Sequence, residues 1–95
     1  MGNGLVKAAE YGCLTFINTS NAFKAEKVLK ETGTEFVMMP TPREISTSCG
    51  LAVKVFPEAV DAVRQILEQN RVSVEGIYQI CREQDGKNTI HKLAV

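Results

Sequence analysis

The middle of the chain reads Phe36-Val37-Met38-Met39-Pro40-Thr41-Pro42-Arg43-Glu44-Ile45-Ser46-Thr47-Ser48-Cys49-Gly50-Leu51-Ala52-Val53. The apolar runs at its two ends predict strands, and the polar residues 40–50 predict a loop between them. This connection is longer than the roughly two to five residues of an ordinary hairpin loop. Because long loops on a rigid frame often carry function, our hypothesis is that Cys49 is a presented thiol held in place by the rest of the chain.

The residues before this stretch predict a strand followed by a helix. Residues 11–17 are aromatic and β-branched, which is typical of a strand. Residues 18–21 carry short oxygen-bearing side chains of the kind that cap a helix, and residues 22–32 place apolar side chains on one helical face. Gly33 then predicts the end of this helix.

The opening stretch and the residues after it predict the remaining strands and a second helix. Residues 35–39 and 51–56 are the second and third strands, and Pro57 opens a second helix that ends at Asn70. Residues 72–80 predict a fourth strand. Beyond them, Asp85-Gly86 predicts a turn, and two alternatives stay open: a hairpin extension through Thr89-Ile90, or a disordered end.

The order strand, helix, strand, strand, helix, strand predicts an α+β fold. We expect a ferredoxin-like βαββαβ two-layer sandwich, with a four-stranded antiparallel sheet and two helices on one face. Residues 1–10 are interpreted as a flexible leader, residues 11–82 as the single domain and residues 83–95 as a C-terminal tail.

Composition narrows the classes of function. The 95 residues are 44% hydrophobic and 23% charged, with eleven basic and eleven acidic side chains. Zero net charge argues against nucleic-acid and anionic membrane partners. The third strand also lacks the glycine- and aromatic-rich signature of an RNA recognition motif. With no signal-peptide pattern and no long apolar run, we expect a cytoplasmic protein.

The three cysteines do not indicate a disulfide framework, because their number is odd and their spacing is wide. Ligand spacing typical of a metal site is missing as well, so we expect no metal and no cofactor. Cys13 and Cys81 lie in predicted strands and are interpreted as packing residues. They could face one another if the fourth strand pairs with the first.

The predicted topology brings several polar residues towards Cys49. The first two strands run in the same direction, so the loop 40–50 and the start of the first helix share one edge of the sheet. A helix N-terminus favours a thiolate, and Lys24 and Arg43 could add positive charge. Gly50 would leave room for a reacting partner, with the hydroxyl groups of the site supplied by Ser46 and Ser48. The competing interpretation of Cys49 is a small buried hydrophobic residue.

Several segments resemble one family of small bacterial proteins, the selenium/sulfur carrier protein-like family, formerly catalogued as a domain of unknown function. The resemblance covers about residues 11–82 and rests on Thr15-Phe16, Ala22 to Leu29, Pro40 to Ala52 and Glu75-Gly76-Ile77-Tyr78. It implies that Cys49 carries sulfur or selenium as a persulfide or selenosulfide. Members of that family often have a histidine in the first strand-to-helix turn, where this chain has Ser20.

Two hypotheses from different classes follow. In the first, Cys49 takes sulfur or selenium from a cysteine desulfurase or another persulfide donor and passes it to an acceptor enzyme. The protein would then act as a carrier, and its chemistry would be at most a sulfurtransferase-like thiol exchange. In the second, the domain is a non-catalytic binding or regulatory module with an inert Cys49. Association of two copies through their sheet edges stays open under both hypotheses.

Overall fold

The computed structural model describes residues 3–6, 8–45 and 49–94. Within them, five strands form one sheet in the order β2-β3-β1-β4-β5. All neighbouring strands are antiparallel. The strands are β1 (Glu10–Phe16), β2 (Val37–Pro40), β3 (Leu51–Val55), β4 (Val74–Arg82) and β5 (Asn88–Ala94).

The expectation of a four-stranded sheet was wrong, because the chain turns back after β4 and adds β5. Gly86 has a φ of 86°, which a side chain would disfavour. The Glu83 amide donates to the Lys87 carbonyl at 2.8 Å and closes the turn. Of the two alternatives for the end of the chain, the hairpin extension is therefore the one observed.

Two main helices lie on one face of the sheet. The first, α2 (Thr19–Glu31), follows a short helix α1 (Asn3–Val6) in which Leu5 is buried. The start of α2 lies three residues before the predicted one, because Asn18 is the N-cap and its side chain accepts from the Asn21 amide at 2.9 Å. Gly33, with a φ of 71°, follows its end as predicted.

The second main helix begins at a proline. Pro57–Ala59 form a 3-10 turn that leads into α3 (Val60–Gln69). At the crossing of α3 with the sheet, Gly12 in β1 lies so close to Val60 that a Cβ atom on the glycine would clash with it. The absence of a side chain at Gly12 therefore sets how closely this helix approaches the sheet.

The sheet carries apolar side chains on both faces. The helix-side core joins α2 and α3 to Leu14, Phe16, Val53 and Val55. A smaller group, here called the opposite-face cluster, consists of Tyr11, Cys13, Ile45, Ala52 and Ile80. Ile45 comes from the loop between β2 and β3, so part of that loop covers the sheet face that carries no helix.

Candidate functional site

Cys49 lies at the base of the loop between β2 and β3. The last ladder pair of these strands joins Pro40 to Leu51. Thr41 adds one further link, since its amide donates to the Gly50 carbonyl at 2.9 Å and its hydroxyl donates to the Cys49 carbonyl at 3.1 Å. Thr41 therefore fixes the backbone that carries the thiol.

The thiol is buried, contrary to the prediction that it is presented to solvent. Cys49 is 2% exposed and belongs to the helix-side core. The reason is strand alternation: Leu51, Val53 and Val55 face the helices, and the same two-residue period extended backwards places Cys49 on that face. The sequence contained this signal, but the polar neighbours of Cys49 suggested exposure instead.

The sulfur nevertheless has polar contacts at a helix end. The Leu51 amide donates to Sγ at 3.4 Å, and the thiol faces the Thr19 hydroxyl at 3.9 Å. Thr19 is the first residue of α2, whose N-cap is Asn18. Unsatisfied amides and the helix dipole at such an end favour an anion, so this position suits a sulfur atom that becomes negatively charged in a reaction.

The family model described as "Putative Se/S carrier protein-like" matches residues 11–79, which include Cys49 and the start of α2. The chain belongs to this Se/S carrier-like family. No curated protein and no solved structure matches the chain. The region that matches the Se/S carrier-like family ends within β4, so β5 lies outside it.

The two cations predicted to support Cys49 have other contacts in this Se/S carrier-like domain. Lys24 is exposed, and its ammonium group donates to the Arg71 carbonyl at 3.4 Å. Arg43 is exposed and lines a concavity with Tyr11 and Lys54, on the sheet face opposite the helices. The position of Arg43 was not predicted, because the sequence does not say which face of the sheet the loop covers.

The remaining predicted site residues are two serines of the loop, Ser20 of α2 and Gly50. Ser20 is exposed in the first turn of α2, beside Thr19. Gly50 is exposed, with open space where a side chain would project. Ser46 and Ser48 lie outside the described residues. The contacts that sequence reasoning missed are the Thr19 hydroxyl, the Thr41 hydroxyl and the Leu51 amide.

Cys13 and Cys81 do not face one another, although β4 does pair with β1. Their partners in the ladder are Tyr78 and Glu10, respectively. Cys13 is in the opposite-face cluster with Ile80, and the next residue, Cys81, points to the other face. Burial raises the pKa of the Cys13 thiol to about 12, so this thiol stays neutral, as expected for a packing residue.

The described part of the chain contains neither a cluster of metal ligands nor a membrane-spanning helix. No group of three or more His, Cys, Asp or Glu side chains could hold a metal ion there. Within the same residues, every helix is too short or too polar to cross a membrane.

Proposed function

We propose that this protein is a sulfur or selenium carrier in which Cys49 holds the transferred atom. Membership of the Se/S carrier-like family supports the class of function. The observation that supports the residue is the position of the Cys49 sulfur between the Leu51 amide and Thr19 at the start of α2. In this proposal a ferredoxin-like arrangement of β1 to β4 is the frame that holds the sulfur there.

The transfer step is a thiol exchange. The Cys49 thiolate attacks the terminal sulfur of a donor persulfide, a new sulfur–sulfur bond forms, and the bond between the two donor sulfurs breaks. The donor leaves as a thiolate, which takes up a proton, and Cys49 becomes a persulfide. The same step on a selenosulfide donor gives a sulfur–selenium bond. An acceptor nucleophile then removes the terminal atom and restores the Cys49 thiol.

Because Cys49 is buried, the proposed exchange also requires a movement that exposes its sulfur. Exchange rates depend on access to the sulfur, and a residue that is 2% exposed cannot be reached by a donor without movement. We therefore place exchange in a locally opened state, in which the two hydrogen bonds from Thr41 to Cys49 and Gly50 are broken. Binding of the donor enzyme would increase the population of this state.

The proposed partners of Cys49 are defined by their chemistry. The donor is a cysteine desulfurase or another enzyme that presents a persulfide, and the acceptor is an enzyme that uses the transferred atom. The setting proposed is the cytoplasm, where free thiols stay reduced. A terminal persulfide is more acidic and more nucleophilic than a thiol, so a helix N-terminus beside it would stabilise the loaded form.

The test is intact-mass analysis after incubation with a cysteine desulfurase and cysteine. We expect the protein to gain one sulfur atom, which a reductant then removes. Cys49→Ser should abolish the gain. Cys81→Ser is the matched control, because Cys81 is more exposed than Cys49 and would be the first site of non-specific sulfuration. Loss of the gain in Cys81→Ser, with retention in Cys49→Ser, would contradict the proposal.

A second candidate is supported by the same burial. A thiol in the helix-side core fits a packing role, and the domain would then be a binding or regulatory module with an inert Cys49. In that case Cys49→Ser would bind the protein's partners normally, and no sulfur gain would occur with any donor. The mass experiment therefore separates the two candidates.

A further inference from the structure

The sheet face opposite the helices has its own concavity, which the carrier proposal does not use. It is open to solvent, has a volume of about 390 Å³, and is lined mainly by charged and polar side chains from four strands and the loop between β2 and β3. These side chains are those of Tyr11, Arg43, Glu44, Lys54, Arg82 and Asn88. Its volume falls within the range of small-molecule sites, roughly 300–1,000 Å³.

The fold itself holds these side chains together. Lys54 in β3 lies over the Tyr11 ring of β1, with Nζ 4.3 Å from the ring centroid. Arg82 in β4 pairs with Asn88 in β5. These four residues lie on neighbouring strands of the sheet, and strand pairing fixes the relative positions of their backbones.

The loop completes the concavity. Ile45 is 6% exposed in the opposite-face cluster, and its amide donates to the Pro42 carbonyl at 3.0 Å. This turn holds Arg43 and Glu44 at the rim. Glu44 also accepts a hydrogen bond from the Asn88 side chain at 3.4 Å, which connects the loop to β5.

The charges in the concavity do not balance. Among the described residues that line it, Arg43, Lys54 and Arg82 are positively charged and Glu44 is negatively charged, whereas the whole chain has no net charge. Burial, together with the charge of Arg82, lowers the pKa of Lys54. Cations that raise one another's energy in a partly buried site are stabilised by a bound anion.

We propose that this concavity binds a small dianionic oxyanion of the phosphate type, free or as a phosphate monoester. The guanidinium groups of Arg43 and Arg82 are suited to bidentate contact with its oxygens, and Lys54 supplies a third positive charge. The Asn88 amide and the Tyr11 hydroxyl are neutral groups that could complete its coordination. This site does not depend on the carrier chemistry of Cys49, which lies in the core on the other side of the sheet.

Inorganic phosphate is the probe for this proposal, titrated into ¹⁵N-labelled protein at constant ionic strength set with chloride. We expect saturable shifts of the Tyr11, Lys54 and Arg82 amide signals. Arg82→Gln and Lys54→Gln should each weaken binding about tenfold, the value of one charge-assisted contact. Glu44→Gln removes the opposing carboxylate and should tighten binding.

Arg64→Gln is the matched control, since Arg64 is an exposed arginine of α3 that pairs with Glu68 at 3.3 Å. It should bind phosphate like the wild type, and so should Cys49→Ser. Shifts that rise linearly without saturation would overturn the proposal, as would equal weakening by Arg64→Gln. Tighter binding of succinate than of phosphate would overturn the choice of ligand class. If Lys54→Gln does not fold, the exposed Arg82 and Glu44 still provide the test in both directions.

A phosphate monoester and free phosphate are separated by a second titration, with phosphoserine at the same ionic strength. Tighter binding of phosphoserine than of inorganic phosphate would assign the site to monoesters, and the reverse order would assign it to the free ion. Either result supports an oxyanion site. Failure of this proposal would leave the mass test on Cys49 unaffected, because the two experiments depend on different residues.

Discussion

The Cys49 sulfur faces the Thr19 hydroxyl at 3.9 Å, across a separation of thirty residues in the sequence. The two residues meet because β1 and β2 are both antiparallel to β3, the strand between them, and so run in the same direction. The chain segments that leave their carboxyl ends therefore share one edge of the sheet. The thiol lies beside the start of α2 but is buried, so its position and its accessibility can be tested separately.

Removing the Thr41 hydroxyl should make Cys49 easier to reach. Thr41→Val loses the 3.1 Å hydrogen bond to the Cys49 carbonyl, which is worth about 1 kcal/mol. If exchange proceeds through a locally opened state, iodoacetamide should alkylate Cys49 about fivefold faster than in the wild type. The measurement is peptide mass spectrometry of Cys49 against time in native buffer.

The control for this experiment is Thr32→Val, which removes a similar 3.1 Å hydrogen bond to the Leu29 carbonyl at the end of α2. It should leave the alkylation rate of Cys49 unchanged. Equal acceleration by both variants would mean that Cys49 reacts only after the whole domain unfolds, and the role assigned to Thr41 would be lost.

Gly12 should not tolerate a side chain. Its added Cβ in Gly12→Ala would clash with Val60, and overpacking of this kind costs about 1–3 kcal/mol of unfolding free energy. Part of that loss should return in the double variant Gly12→Ala/Val60→Ala, because the second change removes the clashing methyl groups. Urea unfolding followed by circular dichroism measures the wild type and both variants.

Gly50→Ala is the matched glycine variant. Open space surrounds that position, so the unfolding free energy should change by less than about 0.5 kcal/mol. A loss at Gly50 as large as the loss at Gly12 would contradict the close approach of α3 to β1 as the cause.

The buried Cys13 thiol should make the protein less stable in alkali. Its pKa is raised from 9.0 to about 12 by burial, so the unfolded chain releases a proton in this range that the folded chain keeps. Stability is complete below pH 9 and falls as the pH rises towards 12. The slope approaches 1.4 kcal/mol per pH unit, or about 1.4 kcal/mol lost by pH 10.

Urea unfolding at pH 8 and pH 10, with a reductant present, measures this effect. The Cys13→Ala variant should lose less unfolding free energy between these two pH values, because it has no thiol at this position. Tyr11 and Lys54 also have shifted pKa values, and both remain in the variant. Because Cys13 contributes to the raised pKa of Tyr11, the difference between the two proteins reports the Cys13 thiol together with its effect on Tyr11. Identical pH dependence of the two proteins would show that this thiol is not the cause.

The cap of α2 should contribute to stability. The Asn18 side chain accepts from the Asn21 amide at 2.9 Å, and replacing such a cap by alanine costs about 1 kcal/mol. Asn18→Ala should therefore lower the unfolding free energy by about that amount. Gln65→Ala, at an exposed position of α3, should change it little, and an equal loss there would argue against capping as the explanation.

Much of the fold could be predicted from local patterns. The caps before α2, the glycine after it and the proline before α3 act within a few residues, so the sequence locates both helices. The alternation of residues 51–55 identifies β3 in the same way. The fifth strand was left open, because residues 88–94 are polar and form a strand only by pairing with β4.

The candidate site, like the fold, could be predicted only in part from local patterns. Sequence alone determined the order of the elements, the position of Cys49 at the end of a loop and its place at the sheet edge beside a helix start, because these follow from chain direction and local capping. Only the tertiary structure decided that Cys49 points into the helix-side core while Arg43 lies on the other face. Side chains a few residues apart in a loop can reach opposite sides of a sheet, and packing over long range determines which side each one takes.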